Sequence, residues 1–485
     1  MAKQAYLGLD LGGTGAKAGV FDHNGILLGS GRGACSATVT SDGRAEVPIE
    51  DVYAAAREAA RQAIDQSGAD IRALAISSQG QTFVSLDKDD RPLHPAIIWY
   101  DSRASEQAAR MKSAVASADP MPVIEAISTA PKVMWLRDNC PGLMDRARRY
   151  LLLPDYFAYL FTGDAVTDPS TASSTALYAD DAPGYSAQAL AAAGIGESQV
   201  ARILPSGSPI GKVRPEIAAE WGLSTETVVV AGCNDQYAGA LGAGNCRPGI
   251  ISETTGTCLA LVTLTDRPVA NVSEGLWVGR FPIARYQFGL AYAKTAGVVL
   301  EWFNRQFCPT MTLADLDKLG AGSAIGANGL TVLPHFDGMV SPKPNPDARG
   351  FICNINLGHT LGDMYRAILE SLTFSLRENV EFVKQAGFET GVLRSIGGGA
   401  KSDFWLQMKA DVIGLPVERP AVTEAATLGA AMLAAVGVGD FASLEESSER
   451  LYRLERAFQP NCEAHASYQA PYNAYLDLCR RNYGD

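Results

Sequence analysis

Residues Leu9–Lys17 read LDLGGTGAK, and this stretch decides the fold prediction. Asp10 ends a short apolar strand, and a glycine-rich turn with one hydroxyl and one amine follows it. Glycine backbone can approach an anion closely, so such a turn can present its N–H groups to phosphate oxygens. Thr14 can add a hydroxyl donor, Lys17 a positive charge, and Asp10 a carboxylate that holds Mg²⁺ through its water shell.

The same stretch has a purely structural interpretation. A tight hairpin needs glycine for its positive φ angles, and Lys17 is then a surface residue of the following strand. The pattern recurs, however, at Ile251–Leu264 (ISETTGTCLALVTL), where Gly256-Thr257 again separates two strand-like runs. This repetition favours the phosphate interpretation.

The rest of the chain repeats one order of elements. Each half begins with short antiparallel strands and continues with alternating strands and helices, which predicts an α/β fold built twice. At 485 residues the chain is long enough for two domains, and we place them at 1–245 and 246–485. The predicted strands are Tyr6–Asp10, Lys17–Phe21, Ile26–Ser30, Leu74–Ser77, Ala96–Trp99, Val228–Gly232, the two runs within Ile251–Leu264, Tyr286–Tyr292 and Leu393–Ile396; the predicted helices are Val52–Gln66, Ser102–Lys112, Ala238–Ala243, Leu361–Gln385 and Asp403–Ile413.

Composition excludes several classes of function. The formal net charge of −12 disfavours binding to nucleic acid or to anionic lipid. The nine cysteines are scattered without a CxxC pair, so neither a zinc site nor a disulfide framework is indicated. No window has the roughly 18–20 apolar residues of a membrane span. We therefore expect a cytoplasmic protein without a membrane or nucleic-acid partner, and the sequence is compatible with a homodimer.

Asp235 is the strongest candidate for a catalytic residue. It lies just past the buried strand Val228–Gly232, at the start of a helix, among small residues that leave room for a ligand. An aspartate of ordinary pKa, about 3.9, is ionised at neutral pH and can accept a proton. The alternative is that Asp235 only favours the N-terminus of its helix.

Polar segments follow other predicted strands. Ser77–Phe83 (SSQGQTF) and Trp99–Arg103 (WYDSR) gather amides, hydroxyls and an aromatic ring, which suits an uncharged, hydroxyl-rich ligand. Asp101 and Arg103 can instead form a helix N-cap and a surface ion pair. Gly397–Asp403 (GGGAKSD) joins a strand to a helix, and its glycine backbone either accepts a nucleotide or forms a plain loop.

With these segments in order, the chain resembles the FGGY family of carbohydrate kinases from end to end, and most of all its xylulose-kinase branch. The resemblance is carried by LDLGGTGAKAGVFD (Leu9–Asp22), AGCNDQYAGALGAG (Ala231–Gly244), TTGT (Thr254–Thr257), DARGFICNINLGHTLGDMYRAILE (Asp347–Glu370) and GGGAKSDFWLQMKADVIGLPV (Gly397–Val417). It implies two ribonuclease-H-like domains of the actin, hexokinase and Hsp70 ATPase type, with an interdomain cleft. It also implies ATP, Mg²⁺ and a small sugar as ligands.

The resemblance assigns roles to individual residues. Asp235 becomes the general base, also in contact with the accepting hydroxyl, and Asp10 becomes the carboxylate associated with the metal. The residues that match sugar contacts are Gln81, Thr82, Trp99, Asp101 and Gln236. The residues that match nucleotide or phosphate contacts are Thr14, Lys17, Thr255, Gly256, Thr257, Gly297, Gly398, Gly399, Ala400 and Ser402.

One departure concerns the sugar. Xylulose kinases typically carry the segment Gly-Gln-Met-His-Gly. At the matching position, Ser78–Thr82, this chain has Ser-Gln-Gly-Gln-Thr. Glycerol kinases carry an Arg-Glu pair there, and Gly80-Gln81 lacks those charges. We expect a ketopentose such as xylulose, with another ketose or polyol as the alternative. An actin-like or chaperone-like ATPase is the rival from another class, and a sugar sensor without catalysis is a further one.

Overall fold

The computed structural model describes residues 4–115, 124–179, 184–269, 272–422 and 424–484. Its strands are β1 (Gln4–Gly12), β2 (Gly15–Phe21), β3 (Leu27–Ala34), β4 (Thr38–Val39), β5 (Ala45–Val47), β6 (Asp70–Ser78), β7 (Phe83–Leu86), β8 (Ala96–Ile97), β9 (Arg149–Leu152), β10 (Val166–Thr167), β11 (Tyr178–Ala179), β12 (Gly184–Tyr185), β13 (Arg202–Ile203), β14 (Pro209–Lys212), β15 (Val228–Asn234), β16 (Gly249–Thr255), β17 (Leu259–Thr265), β18 (Trp277–Arg280), β19 (Gln287–Ala293), β20 (Thr331–Leu333), β21 (Phe351–Cys353), β22 (Thr390–Gly397), β23 (Val417–Pro420) and β24 (Leu454–Phe458). Its helices are α1 (Ile49–Ser67), α2 (Ser105–Ala114), α3 (Thr129–Asn139), α4 (Pro141–Met144), α5 (Leu153–Thr162), α6 (Pro169–Ala172), α7 (Ala187–Ala193), α8 (Pro215–Trp221), α9 (Asp235–Gly242), α10 (Gly297–Phe307), α11 (Leu313–Ala321), α12 (Leu361–Gln385), α13 (Asp403–Ile413), α14 (Ala425–Gly437), α15 (Leu444–Leu451) and α16 (Cys462–Tyr483).

The chain forms two compact units that are not continuous in sequence. The first consists of Met1–Cys246, Gly279–Tyr286 and Glu424–Tyr452. The second consists of Arg247–Val278, Gln287–Thr423 and Arg453–Asp485. The first unit therefore includes α14 and α15, which come late in the sequence. The predicted division of the chain into domains 1–245 and 246–485 stays a prediction.

The first unit is built on a six-stranded sheet with the order β14-β15-β6-β1-β2-β3. Strands β1, β2 and β3 form consecutive antiparallel pairs, which confirms the predicted meander. Strand β6 pairs with β1 and β15 pairs with β6, both in parallel, as the alternation of strands and helices predicts.

The alternation of strands and helices also predicts that Ala96–Trp99 joins this sheet as a further parallel strand, and that prediction is wrong. Only Ala96–Ile97 is a strand, and it pairs antiparallel with β5 and β7 in a separate sheet with the order β4-β5-β8-β7-β9. An apolar run shows that a strand is buried but does not specify the strand it pairs with.

Helix α14 lies against β1 and α9 at very short distances. A side-chain carbon on Gly429 would stand 1.9 Å from the carbonyl oxygen of Ala238 on α9, and one on Gly8 of β1 would stand 1.8 Å from that of Thr427. Real Cβ atoms do not approach that closely, so only glycine lets these backbones meet. This contact fixes the two elements that carry Asp10 and Asp235.

The second unit repeats the pattern in a seven-stranded sheet with the order β18-β19-β17-β16-β22-β23-β24. Strands β16, β17 and β19 are antiparallel neighbours, and β22 then pairs in parallel with β16. Helix α12 begins at a capping box, in which Thr360 and Asp363 exchange hydrogen bonds, and α13 ends at Gly414 with a φ of 77°. Both helices have the predicted bounds.

A buried ion pair joins three elements of the second unit. The ammonium of Lys409 on α13 donates to a carboxylate oxygen of Glu253 on β16 at 2.8 Å, and both side chains are buried. The same ammonium contacts the hydroxyls of Ser395 on β22 and Thr255 on β16, each at 3.1 Å. The pair therefore ties the ends of β16 and β22 to α13.

Within the described ranges, every helix is too short or too polar to cross a lipid bilayer.

Replacing Gly429 by alanine should destabilise the first unit by about 1–3 kcal/mol, because the new methyl group forces α14 away from α9. Gly142→Ala is the control, since nothing lies within 4 Å of its added carbon. Calorimetric unfolding of both variants tests this. Equal melting temperatures for Gly429→Ala and the parent would mean that the close helix contact does not hold the unit together.

Removing the charge of Lys409 alone should cost about 3–5 kcal/mol, because it leaves the Glu253 carboxylate buried and unpaired. The double variant Lys409→Met with Glu253→Gln should lose less, since no isolated charge then remains. Denaturant titration of the single and double variants measures the difference. A double variant at least as unstable as the single one would contradict the account.

Candidate active site

The functional candidates of the first unit meet at one edge of its sheet. In the parallel registers, Asp10 of β1 is opposite Ser77 of β6, and Ser78 of β6 is opposite Asn234 of β15. These three strands therefore end side by side, and Asp235 follows directly on β15 as the first residue of α9. The carboxyl edge of parallel strands is where ligands bind in open α/β sheets.

Asp10 is partly exposed and has one hydrogen-bond donor from a neighbouring strand. Its Oδ1 accepts a hydrogen bond from the Ser77 hydroxyl at 3.0 Å. Burial raises the pKa of Asp10, and the charge of Lys17 and the Ser77 hydrogen bond oppose that shift. Within the described ranges, no group of three or more His, Cys, Asp or Glu side chains is placed to hold a metal ion. A single carboxylate fits Mg²⁺, which commonly takes one or two carboxylates plus phosphate and water oxygens.

Asp235 has an environment that its sequence position does not reveal. Burial first, and then the negative charge of Asp10, raise the pKa of Asp235 well above its usual value, while the backbone N–H of Gln236 opposes the shift. The expectation of an ordinary pKa for Asp235 is therefore wrong. Because basicity rises with pKa, the ionised carboxylate is a stronger proton acceptor than a surface aspartate.

The start of α9 is held by a side chain next to the candidate base. The side-chain oxygen of Asn234 accepts a hydrogen bond from the backbone N–H of Gln236 at 3.0 Å, which caps the helix. Gln236 is partly exposed beside Asp235. The cap belongs to Asn234, so Asp235 does not fill the cap position itself.

The glycine-rich turn is a tight hairpin. Gly12 pairs with Gly15, whose φ is 147° and whose added side chain would stand 2.2 Å from the carbonyl oxygen of Gly33. Thr14 is exposed at the tip of this turn. Lys17 lies half exposed on β2 and forms an ion pair with Glu424 at 2.9 Å, as the surface-strand interpretation predicts.

The segment Ser78–Thr82 runs directly beside the start of α9. A side chain on Gly80 would stand 2.8 Å from the side-chain nitrogen of Asn234, so glycine is needed for this approach. The N–H of Thr82 donates to the carbonyl of Gly80 at 2.7 Å, with Gln81 at a φ of 58° between them. Such a γ-turn is strained for a residue with a side chain and is frequent at functional sites.

Some polar groups of the predicted sugar contacts already form hydrogen bonds within the protein. The Thr82 hydroxyl is buried and accepts a hydrogen bond from the N–H of Trp99 at 3.0 Å. The carbonyl of Gln81 accepts a hydrogen bond from the Thr129 hydroxyl at 3.2 Å. The side chains of Gln81 and Trp99 are partly exposed, so both stay available to a ligand.

Asp101 is built into the protein rather than presented at the edge. Its carboxylate is completely buried and accepts hydrogen bonds from the N–H of Ala45 at 2.6 Å and from the Arg103 guanidinium at 2.7 Å. The structure therefore favours the ion-pair interpretation of Asp101 and Arg103, although the pair is buried. Helix α2 begins only at Ser105, so the N-cap interpretation of Asp101 is wrong.

The sequence analysis missed Lys132, whose side chain contacts the backbone at Ile98 and Trp99, just before Asp101. Its ammonium is buried and donates to the backbone carbonyls of Ile98 at 2.7 Å and Trp99 at 3.2 Å. Burial lowers the pKa of Lys132 to about 7, and the nearby charge of Asp101 opposes the shift. A lone lysine within an apolar helix carries no local signal of this role, because its partners lie more than thirty residues away.

The nucleotide candidates of the second unit cluster around the end of β16. Thr255 pairs with Gly397 of β22, and the turn that follows docks on the start of α10. There the N–H of Gly297 donates to the carbonyl of Gly256 at 2.8 Å. A side chain on Gly297 would stand 2.5 Å from that oxygen, whereas Gly256 faces open space. Thr257 is exposed in the same turn.

A glycine loop lies next to this turn. Gly398 to Lys401 form a single 3-10 turn that includes Gly399 and Ala400. A side chain on Gly399 would stand 2.7 Å from the Thr255 side chain, so the loop packs against β16. A pocket of about 270 Å³ opens beside the loop and is lined by Ser395, Gly397, Ala400, Lys401, Arg419 and Glu455.

Two of the predicted nucleotide contacts have hydroxyls with structural partners. Thr255 is buried, and its hydroxyl contacts the Glu253 carboxylate in the ion-pair network of Lys409. The Ser402 hydroxyl accepts a hydrogen bond from the N–H of Trp405 at 3.0 Å and caps α13. The N–H of Gly256 also has a partner, because it donates to the carbonyl of Cys258 at 2.9 Å. Gly398 and the side chain of Thr257 are exposed, and Gly399 is partly exposed.

The chain is similar to known proteins along nearly its whole length. Models of the N-terminal and C-terminal domains of the FGGY family of carbohydrate kinases match residues 5–242 and 254–438. A xylulose kinase of Staphylococcus epidermidis is 29% identical over 479 residues, which cover 98% of this chain and 96% of the relative. A glycerol kinase of Bordetella parapertussis is 32% identical over 484 residues, which cover 95% of this chain and 93% of the relative.

A solved structure supports the same relationship. The crystal structure of a xyloylose kinase from Brucella ovis has a TM-score of 0.89 and 26% identity, with 98% of each chain covered. The predicted α/β fold with two ribonuclease-H-like ATPase domains is confirmed by this likeness. Together with the family match over both halves, it means that the chain belongs to the FGGY family of carbohydrate kinases.

Proposed function

We propose that this carbohydrate kinase transfers the γ-phosphate of ATP, with Mg²⁺, to a hydroxyl of a ketopentose such as xylulose. The observation that carries the proposal is the environment of Asp235, a partly buried carboxylate of raised pKa at the edge where β1, β6 and β15 end. The similarity to xylulose kinases supports the choice of sugar.

The proposed chemistry needs little covalent help from the protein. Phosphoryl transfer proceeds when an oxygen nucleophile and the γ-phosphate are held in line and the developing charge is stabilised. Asp235 accepts the proton of the attacking hydroxyl, which its raised pKa favours once the carboxylate is ionised. The negative charge of Asp10 contributes, after burial, to the raised pKa of Asp235.

Asp10 is proposed to hold Mg²⁺ through its water shell, because its carboxylate is partly exposed and accepts a hydrogen bond from the Ser77 hydroxyl. Bound Mg²⁺ supplies positive charge that neutralises phosphate oxygens. The accessible glycine backbone at Gly398 and Gly399 is the proposed contact of the nucleotide, since N–H groups without side chains can reach phosphate.

The identity of the sugar is proposed against a specific alternative. Glycerol kinases are also similar to this chain, but Gly80-Gln81 cannot supply the Arg-Glu pair that the resemblance associates with glycerol binding. The polar groups at Gln81, Trp99 and Gln236 suit an uncharged ligand with several hydroxyls. A protein that only hydrolyses ATP has no need of them.

Asp235→Asn should lower kcat by about 10²–10⁴-fold, because the amide cannot accept the proton. Binding of a non-hydrolysable ATP analogue, measured by calorimetry, should persist. Asp65→Asn, at an exposed position on α1, is the control and should leave kcat unchanged. Turnover of Asp235→Asn close to that of the control would remove Asp235 as the base.

A screen of ADP release over ketopentoses, ketohexoses, aldoses and polyols should give the highest kcat/KM with a ketopentose. Glycerol should be a poorer substrate, because this chain has Gly80-Gln81 in place of the Arg-Glu pair of glycerol kinases. The proposal about the sugar fails if glycerol or an aldose is preferred. ADP release that no sugar or polyol accelerates would instead support the actin-like ATPase.

A further inference from the structure

Gln79 lies in the segment Ser78–Thr82, at the position of the Gln in the Gly-Gln-Met-His-Gly segment of xylulose kinases, but it is not among the residues that the resemblance matches to sugar contacts. It follows β6 directly at the active-site edge. Its backbone N–H donates to the carbonyl of Leu11 at 3.0 Å, and its carbonyl accepts a hydrogen bond from the Ser78 hydroxyl at 2.9 Å. The main chain of Gln79 is thus fixed next to the end of β1, close to Asp10.

The side chain of Gln79 is only 6% exposed. Its oxygen Oε1 is buried and receives no hydrogen bond from any of the described residues. A buried amide oxygen without a donor destabilises the protein, so such groups are rare and call for an explanation. A bound ligand with a hydroxyl group would supply the missing donor.

A glycine, Gly13, lies next to this oxygen. A carbon added to Gly13 would stand 3.2 Å from Oε1 of Gln79 and 3.9 Å from the indole nitrogen of Trp99. Glycine at position 13 therefore places no side chain next to the amide oxygen of Gln79 and the indole nitrogen of Trp99. A hydroxyl both donates and accepts hydrogen bonds, so it suits this pair of groups better than a carbonyl or a methyl group does.

Two other polar groups of the segment already have partners within the protein. The Thr82 hydroxyl already accepts a hydrogen bond from Trp99, and the Gln81 carbonyl accepts one from Thr129. Gln79 has the buried, unused acceptor. Its position between the ends of β1 and β15 places it next to the strands that lead to Asp10 and Asp235.

We infer that Gln79 is a specificity-determining residue of the acceptor site, where its Oε1 accepts a hydrogen bond from a sugar hydroxyl other than the one that is phosphorylated. The inference rests on the proposed function and deepens it, because it names one group that distinguishes a polyhydroxylated acceptor from its deoxy analogues. A site built to bind a hydroxyl rejects an analogue that lacks it, since its own polar group is then left unpaired.

The test pairs a substitution with a change in the sugar. Gln79→Met keeps the length of the side chain and removes the amide. The matched control is Gln107→Met, because Gln107 is also buried, at 4% exposure, and its Oε1 also lacks a partner among the described residues, but it lies on α2 next to Asp138. Both variants and the parent are assayed with the preferred sugar and with each of its monodeoxy analogues.

The parent should disfavour one deoxy analogue by at least about 100-fold in kcat/KM. In Gln79→Met, kcat/KM for the full sugar should fall about 10–100-fold, while that for this analogue changes less than about 3-fold, so the discrimination collapses. Gln107→Met should keep the full discrimination. An equal loss of kcat/KM for the sugar and all analogues in Gln79→Met, or no loss, would overturn the inference.

Calorimetric binding of the same sugars separates this inference from the proposed function. A parent that binds the sugar and rejects the deoxy analogue without turning either over would contradict the proposed function and leave Gln79 supported. A parent that binds no ketose or polyol would overturn both. If Gln79→Met does not fold, Gln79→Asn keeps an amide but withdraws it by one methylene, and it should show the same collapse.

Discussion

The parallel pairing of β1, β6 and β15 is the constraint on which the candidate active site depends. Because the three strands run in the same direction, Asp10 and the residue before Asp235 end at one edge of the sheet. The two carboxylates are then close enough for the charge of Asp10 to raise the pKa of Asp235. A one-residue change of register would turn either side chain to the opposite face.

Close backbone contacts maintain that arrangement. Gly8 on β1 and Gly429 on α14 allow the helix to lie against the strand and against α9 at distances that no side chain would permit. In the second unit, the Lys409–Glu253 pair performs a comparable task by joining the ends of β16 and β22. In both units the turns that we propose to bind ligand lie next to these closely packed elements.

Much of the fold could be predicted from the sequence, because hydrophobic periodicity and caps are local. The two meanders and the bounds of α12 and α13 illustrate this. Long-range partners could not be predicted. The apolar run Ala96–Trp99 does not reveal that its strand pairs antiparallel in another sheet. Likewise, nothing in the sequence near Asp101 shows that the backbone N–H of Ala45 donates a hydrogen bond to its carboxylate. The pKa of Asp235 is raised first by burial and then by the charge of Asp10, which lies 225 positions earlier in the chain.

We propose that Asp235 receives the proton of the sugar hydroxyl. The most direct measurement is a crystal structure of this chain with D-xylulose and a non-hydrolysable ATP analogue. The account predicts a carboxylate oxygen of Asp235 at roughly 2.6–3.2 Å from the hydroxyl that faces the terminal phosphate. A sugar bound with that hydroxyl beyond the reach of Asp235, with no bridging water, would contradict it.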